Sequence, residues 1–217
     1  MTFLKREAVE DLRYLLNRGY PRPSAVKFVG DRYVLDRSQR LLLYRGVFPD
    51  DVAKMRRTKL VGSERVIGSR LSIDGFNVLW TVSSAMKGDP VYQCDDGLIR
   101  DLSGIHGSVD GREVMEPLEI IVSTVAYLRP KEVIFFFDKS ISRSGEIAGT
   151  VRKLLSHYCL LGSAITVPSP DHALLGSGDI IATSDSVVAD KATFLFDLAG
   201  YIITTRLNVK PLSLKDL

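Results

Sequence analysis

Two different rhythms of apolar residues divide the chain. Over residues 4–17, Val9, Leu12, Leu15 and Leu16 recur at helical spacing and predict an amphipathic helix. Gly19 stops it, and Pro21 and Pro23 bar its continuation. A second helix is expected over 24–30 with Ser24 as its cap, followed by a turn at Gly30-Asp31. Two more short helices are expected over 37–47 and 50–58, and Gly62-Ser63 and Gly68-Ser69 flank a linker. Residues 1–66 therefore read as a small helical domain.

From Arg70 the pattern turns to short, unbroken apolar runs. Leu71-Ser72-Ile73 is closed by Asp74-Gly75, and Val133 to Phe137 by Asp138. Ala164 to Val167 is closed by Pro168, Ile180 to Thr183 by Ser184-Asp185, and Tyr201 to Thr204 ends the series. Such runs suit strands buried on both faces of a parallel sheet. Helical stretches at 113–128, 145–158, 171–176 and 186–197 alternate with them. The alternation predicts an α/β fold over residues 67–217: an open parallel sheet flanked by helices.

Composition narrows the class without naming a function. At 217 residues, 45% hydrophobic and 25% charged, the chain resembles an ordinary globular protein. No run approaches the roughly 18 apolar residues of a membrane helix, and Met1 to Glu10 lacks the apolar core of a signal peptide. No membrane partner is therefore expected. Cys94 and Cys159 make neither a disulfide framework nor a zinc site, so a reducing, cytoplasmic location is expected.

Charge is more informative. The net +3 conceals 16 Lys+Arg against 8 Asp+Glu in residues 1–70, a difference of +8. The rest of the chain then holds 29 − 16 = 13 basic and 26 − 8 = 18 acidic residues, a difference of −5. A basic segment joined to an acidic one suits a protein that handles a polyanion, with Arg18, Arg22 and Arg45 among the candidate contacts. A solvated helical surface explains the same charge equally well.

The acids carry the candidate chemistry. Ligands of open α/β sheets bind beyond the carboxyl ends of the strands, and Asp74, Asp138 and Asp185 each follow an apolar run directly. Asp171 opens the short helix after Pro168-Ser169-Pro170 on the same edge. Any one such Asp is explained by a helix cap or a turn. Several at equivalent points would repel one another, by about 4 kcal/mol per pair at ~4 Å and an effective dielectric of ~20. One or two Mg²⁺ or Mn²⁺ ions would relieve this, and a hard cation at such a site activates water and holds a scissile phosphate. Asp96 and Asp101, in Cys94-Asp95-Asp96-Gly97-Leu98-Ile99-Arg100-Asp101, are further candidate ligands, and Arg100 a candidate phosphate contact. An acidic surface loop with a helix cap is the alternative for that stretch. Lys139, Ser140, Ser142 and Arg143 stand before the next helix and form a candidate phosphate cradle, with Ser144 capping that helix as the alternative.

These residues carry a family resemblance. Ile73-Asp74-Gly75-Phe76-Asn77-Val78-Leu79 resembles the first-strand motif of NYN and YacP-type PIN nucleases, and Phe137-Asp138 their second strand end. Ser169-Pro170-Asp171 is similar to their later helix start, and Ala182-Thr183-Ser184-Asp185 to their T-S-D strand end. The resemblance covers about residues 70–205. It implies a PIN-like sheet and a Mg²⁺/Mn²⁺-dependent ribonuclease, with RNA expected over DNA. Asp74, Asp171 and Asp185 would be metal ligands, Asp138 a further catalytic acid, and Asn77 would orient Asp74 or a bound water. Thr183 and Ser184 would lie just behind them. His172 stands where the family has a second acid, and Asp179 competes with Asp171 as the ligand.

Asp11 to Pro21 and Leu43 to Phe48 resemble a prokaryotic, chiefly archaeal, family of unknown function that often precedes such a domain. A non-catalytic RNA-binding or scaffold protein with a decayed PIN-like site is the alternative, and a homodimer stays open. A phosphohydrolase of the haloacid-dehalogenase type lacks its nucleophile, because Ser72 stands two residues before Asp74. His106, His157 and His172 show no metal-ligand spacing, and no Walker loop or G-x-G-x-x-G is present.

Overall fold

The computed structural model describes residues 4–102 and 113–214, so His106 lies outside the described residues. Four helices come first: α1 (Arg6–Asn17), α2 (Arg22–Arg32), α3 (Arg37–Gly46) and α4 (Asp50–Lys59). They bury Leu12, Val29, Leu43 and Phe48 in one cluster. Two expectations shift here. Helix α2 begins at Arg22, not Ser24, because a proline is tolerated in the first helical turn, where its missing N–H has no partner to lose. It also runs through Gly30-Asp31 instead of turning there. Gly30 lies inside the helix because the Arg40 guanidinium packs on it, 2.3 Å from where a Cβ would stand. Asp36 caps α3 in a reciprocal capping box with Gln39.

The α/β part follows with β1 (Arg70–Asp74), α5 (Gly75–Met86), β2 (Val91–Gln93), β3 (Ile99–Asp101), α6 (Met115–Leu128) and β4 (Glu132–Asp138). Then come α7 (Ser144–His157), β5 (Gly162–Val167), α8 (Pro170–Leu175), β6 (Ile180–Ala182), α9 (Ser186–Lys191), α10 (Leu198–Thr205) and β7 (Leu212–Ser213). Strands β5, β4, β1 and β6 form a parallel four-stranded sheet in that order, the expected α/β architecture. The period-2 alternation of strand side chains covers both faces. Phe135 and Phe137 join Leu71, Ile73 and the helices α5, α6, α7 and α10, whereas Phe136 and Ile181 join Leu174 of α8 and Val188 of α9. Because the strands are parallel, the carboxyl ends of β1, β4 and β6 share one edge.

Tyr201 to Thr204, expected as a strand, belongs to helix α10. Asp197 caps that helix by accepting from the Gly200 N–H at 2.8 Å, which fixes a helical start three residues earlier. Helix α9, expected to reach residue 197, ends at Lys191. The next segment is claimed by lateral bonds: Phe194 and Phe196 exchange backbone bonds with Ile181, and Leu195 N–H donates to Lys59 O while Leu195 O accepts from Val61 N–H. This splice continues the sheet edge and seats residues 59–61 of the amino-terminal part on it. The segment expected as a linker is packed, with Val66 fully buried. A second, three-stranded sheet of β3, β2 and β7 was not anticipated.

Candidate functional site: an acidic pocket at the sheet edge

A pocket of about 170 Å³ opens at the carboxyl edge of β1, β4 and β6. Asp74, Asp138, Asp171, Asp185 and Asp101 line it, with Asn77 and Arg45. Phe76, Trp80, Ile141 and Pro170 supply its apolar wall, and Phe76 and Trp80 stack with centroids 5.7 Å apart. Each acid arrives by a different local device. Asp74 ends β1 and also caps α5, with no loop between strand and helix. Asp138 ends β4 and closes the following turn, accepting from Ser140 N–H at 2.7 Å. Asp185 caps α9, its Oδ1 accepting from the N–H groups of Val187 and Val188. Asp171 is exposed in the first turn of α8.

Burial pushes the Asp74 carboxyl up to about 7, and the Asp185 and Asp171 charges push the same way. Two hydrogen bonds oppose this, from Thr183 Oγ1 to Asp74 Oδ2 at 2.9 Å and from Asn77 N–H to Oδ1. Asp171 is raised as well, by desolvation first and then by Asp185. The acids therefore feel one another, and among the described residues none of Asp74, Asp138, Asp171 and Asp185 has a Lys or Arg ion-pair partner. Among the described residues, no three His, Cys, Asp or Glu side chains stand arranged to hold a metal ion as they are.

Comparison with known proteins places the chain among families without an assigned activity. A family model described as a domain of unknown function (DUF5616) matches residues 63–201, and a protein of unknown function (DUF434) matches residues 6–59. The chain belongs to the DUF5616 family. It is 30% identical over 200 residues to an uncharacterized protein, MJ0935, of Methanocaldococcus jannaschii, covering 91% of this chain and 95% of the relative. The amino-terminal match agrees with the expected family of unknown function, whereas the families matched are not PIN or NYN families. No solved structure matches the chain. Every carboxylate of the pocket lies in the DUF5616 match, and Arg45 lies in the DUF434 match.

Several expected site residues of this DUF5616 domain do other work. Asp96 is fully buried between two arginines: Arg100 grips both its oxygens at 2.7 and 2.8 Å, and Arg56 donates to Oδ2 at 3.0 Å. Burial alone would raise its carboxyl, yet the two guanidiniums overcome this and hold it below its ordinary value. Asp96 is thus no ligand of the pocket, and Arg100, buried and also donating to Ser184 O, is no phosphate contact. Arg22 donates to the carbonyls of Tyr44 and Val47, with its guanidinium over Phe48. Arg18 lies over the Tyr14 ring. Arg143, left-handed at φ 63°, pairs with Glu146, and Ser144 follows it inside α7 instead of capping that helix. Lys139, Ser140 and Ser142 are exposed, and none of them lines the pocket. Asp179 pairs with Arg70 at the opposite end of β1, roughly 13 Å from Asp74 at the usual strand rise.

Behind the pocket, Asn77 differs from its expected role. Its Oδ1 accepts from the N–H and the Oγ of Ser184, so the side chain ties α5 to the end of β6, and only its backbone N–H reaches Asp74. Thr183 Oγ1 accepts from the Asp185 N–H at 3.0 Å and so joins the two acids. Asp101 is buried and accepts from Thr81 Oγ1 at 2.8 Å. The aromatic wall was missed in the sequence. Its signal was present: Trp80 stands four residues after Phe76, hence on the same face of a helix capped by Asp74.

Proposed function

We propose that the chain is a divalent-metal-dependent ribonuclease whose site is the acidic pocket. The observation that supports this best is the convergence of Asp74, Asp138, Asp171 and Asp185 on one pocket without an arginine or lysine partner among the described residues. The resemblance of Asp74-Gly75-Phe76-Asn77 and Thr183-Ser184-Asp185 to the NYN/PIN motifs points the same way. The donor set is all oxygen and anionic, which fits Mg²⁺ or Mn²⁺. Asp138 Oδ2 and Asp185 Oδ2 accept no hydrogen bond among the described residues, and Asp171 is exposed enough to turn toward them.

Asp74, Asp171 and Asp185 would hold the ion, with Asp138 beside them as a proton acceptor for the attacking water. Bound there, a hard cation supplies Lewis-acid stabilisation of the charge that develops on the phosphate. Thr183 keeps the Asp74 carboxylate turned into the pocket, and the Phe76–Trp80 wall gives a flat apolar surface next to it. RNA is the proposed polyanion, and the free thiols Cys94 and Cys159 suit a reducing cytoplasm.

The test is cleavage of labelled single-stranded RNA with and without Mn²⁺. Wild type should cut only with the metal, and Asp185→Asn should lose at least a hundredfold in rate; equal cleavage by that variant sinks the reading. One observation favours a second reading, a nucleic-acid-binding or scaffold protein without catalysis: no three acids stand ready to hold a metal among the described residues. Salt-sensitive RNA binding with no Mn²⁺-dependent turnover would support it.

A further inference from the structure

We infer that Arg45, carried by the amino-terminal helical unit, is the phosphate-holding residue of the acidic pocket, so that the two family units together build one site. This rests on the metal-dependent reading above and adds to it the group that grips the substrate's phosphate.

Of the basic residues expected to touch a polyanion, Arg45 alone lines this pocket among the described residues. It does so together with Asp74, Asp101, Asp138, Asp171 and Asp185, yet forms no ion pair within 4.0 Å among the described residues. The backbone around Arg45 is anchored. The residue after it, Gly46, is wedged so that a Cβ there would lie 2.5 Å from Leu214 and 3.2 Å from Cys94 Sγ. Gly46 O accepts from the Asp95 N–H at 2.9 Å, and Arg22 donates to the carbonyls of Tyr44 and Val47 on either side. The backbone at the base of the side chain is thereby fixed to the β2–β3 turn.

A cation without an ion-pair partner among the described residues, lining the same pocket as an anionic, cation-seeking cluster, leaves room for a ligand that is negative toward the arginine and oxygen-rich toward the metal. A phosphate group meets both demands, since the planar guanidinium matches two phosphate oxygens. Arg45 would then act on binding of the phosphate and not on capture of the metal, which it opposes by charge.

The experiment is calorimetry on the full chain with Mn²⁺ alone and then adenosine 5′-monophosphate at saturating Mn²⁺. It compares wild type, Arg45→Ala, Arg45→Lys and the control Arg18→Ala. Arg45→Ala should weaken nucleotide binding at least tenfold while binding Mn²⁺ as tightly as wild type or tighter, which also reports an intact fold. Arg45→Lys should recover part of the loss, and Arg18→Ala should change nothing. Unchanged nucleotide binding by Arg45→Ala overturns the inference and leaves the metal reading standing, as does a wild type that binds Mn²⁺ but no nucleotide. Arg45-dependent nucleotide binding by a wild type that ignores Mn²⁺ keeps the inference and removes the metal. A wild type that binds neither removes both.

Discussion

Thr183 Oγ1 donates to Asp74 Oδ2 at 2.9 Å, joining the end of β6 to the end of β1 behind the pocket. The hydroxyl's other side accepts from the Asp185 N–H at 3.0 Å, so one threonine sets the spacing of two acids from adjacent strands. The bond favours the charged form of Asp74 against a burial that disfavours it.

Thr183→Val keeps the β-branched shape and removes the hydroxyl. It should weaken Mn²⁺ binding by about 10–100-fold, the usual effect of losing a group that orients a metal ligand. Thr183→Ser should stay close to wild type. Isothermal titration with Mn²⁺ reads both, and equal affinity for Thr183→Val would detach the threonine from the site.

Asp74 and Asp96 should separate function from folding. Asp96 lies between Arg56 and Arg100, and Asp96→Asn takes the carboxylate from buried Arg100 while Arg56 keeps only Asp190. Such breaks cost about 3–5 kcal/mol, so this variant should unfold at much lower denaturant concentration. Asp74→Asn removes a raised, enclosed carboxyl and should leave apo stability within about 1 kcal/mol while abolishing metal-dependent cleavage. Urea melts of the two variants, paired with the RNA assay, check the contrast.

The legible parts of the chain were those where local chemistry and tertiary demand coincide. The apolar runs ending in Asp74 and Asp138 have to be strands, because Phe135, Phe136 and Phe137 are covered from both faces of the sheet. The convergence of Asp74, Asp138, Asp171 and Asp185 followed from parallel topology alone. Helix α10 was misread because Tyr201-Ile202-Ile203-Thr204 combines an aromatic with three β-branched residues, while its fate is decided by Asp197 four residues before Tyr201. Asp96 and Arg100 misled for a different reason. Four residues apart in a loop they look solvent-facing, and only the arrival of Arg56 from α4 turns them into a buried cluster. Phe48, with the guanidiniums of Arg22, Arg56 and Arg100 around its ring, shows that part of the amino-terminal positive charge, Arg22 and Arg56, belongs to that joint.

Metal should stabilise the fold if the pocket binds it, because a ligand specific to the native state adds about 2.7 kcal/mol at 100 times its dissociation constant. Mn²⁺ at that excess should raise the melting temperature of wild type by several degrees. Asp185→Asn, which keeps an oxygen to cap α9, should melt close to wild type without metal and lose the Mn²⁺ shift. Differential scanning calorimetry with EDTA as the baseline gives the comparison; a shift that persists in the variant would place the ion elsewhere.

Stability should also fall as the pH rises through the weakly acidic range, and Asp197 offers the clearest test. Its carboxyl is enclosed beside β3 and α10, and burial pushes it up to about 6 despite hydrogen bonds from the Gly200 and Ile99 N–H groups. Arg100 lowers it and Asp96 raises it by smaller amounts. The folded value exceeds the unfolded one of ~3.9, so the folded chain holds the proton more tightly. The resulting stability is complete below about pH 4 and disappears as pH climbs through about 6, a change of about 3 kcal/mol. Asp74 adds a loss of the same sign that runs from about pH 4 to about 7 in metal-free protein. Asp197→Asn, which cannot titrate, should make the fall between pH 4 and 6 shallower and leave the part due to Asp74, which continues to about 7. Urea melts across that range decide it: an unchanged slope in the variant would show that Asp197 ionises as an ordinary carboxylate.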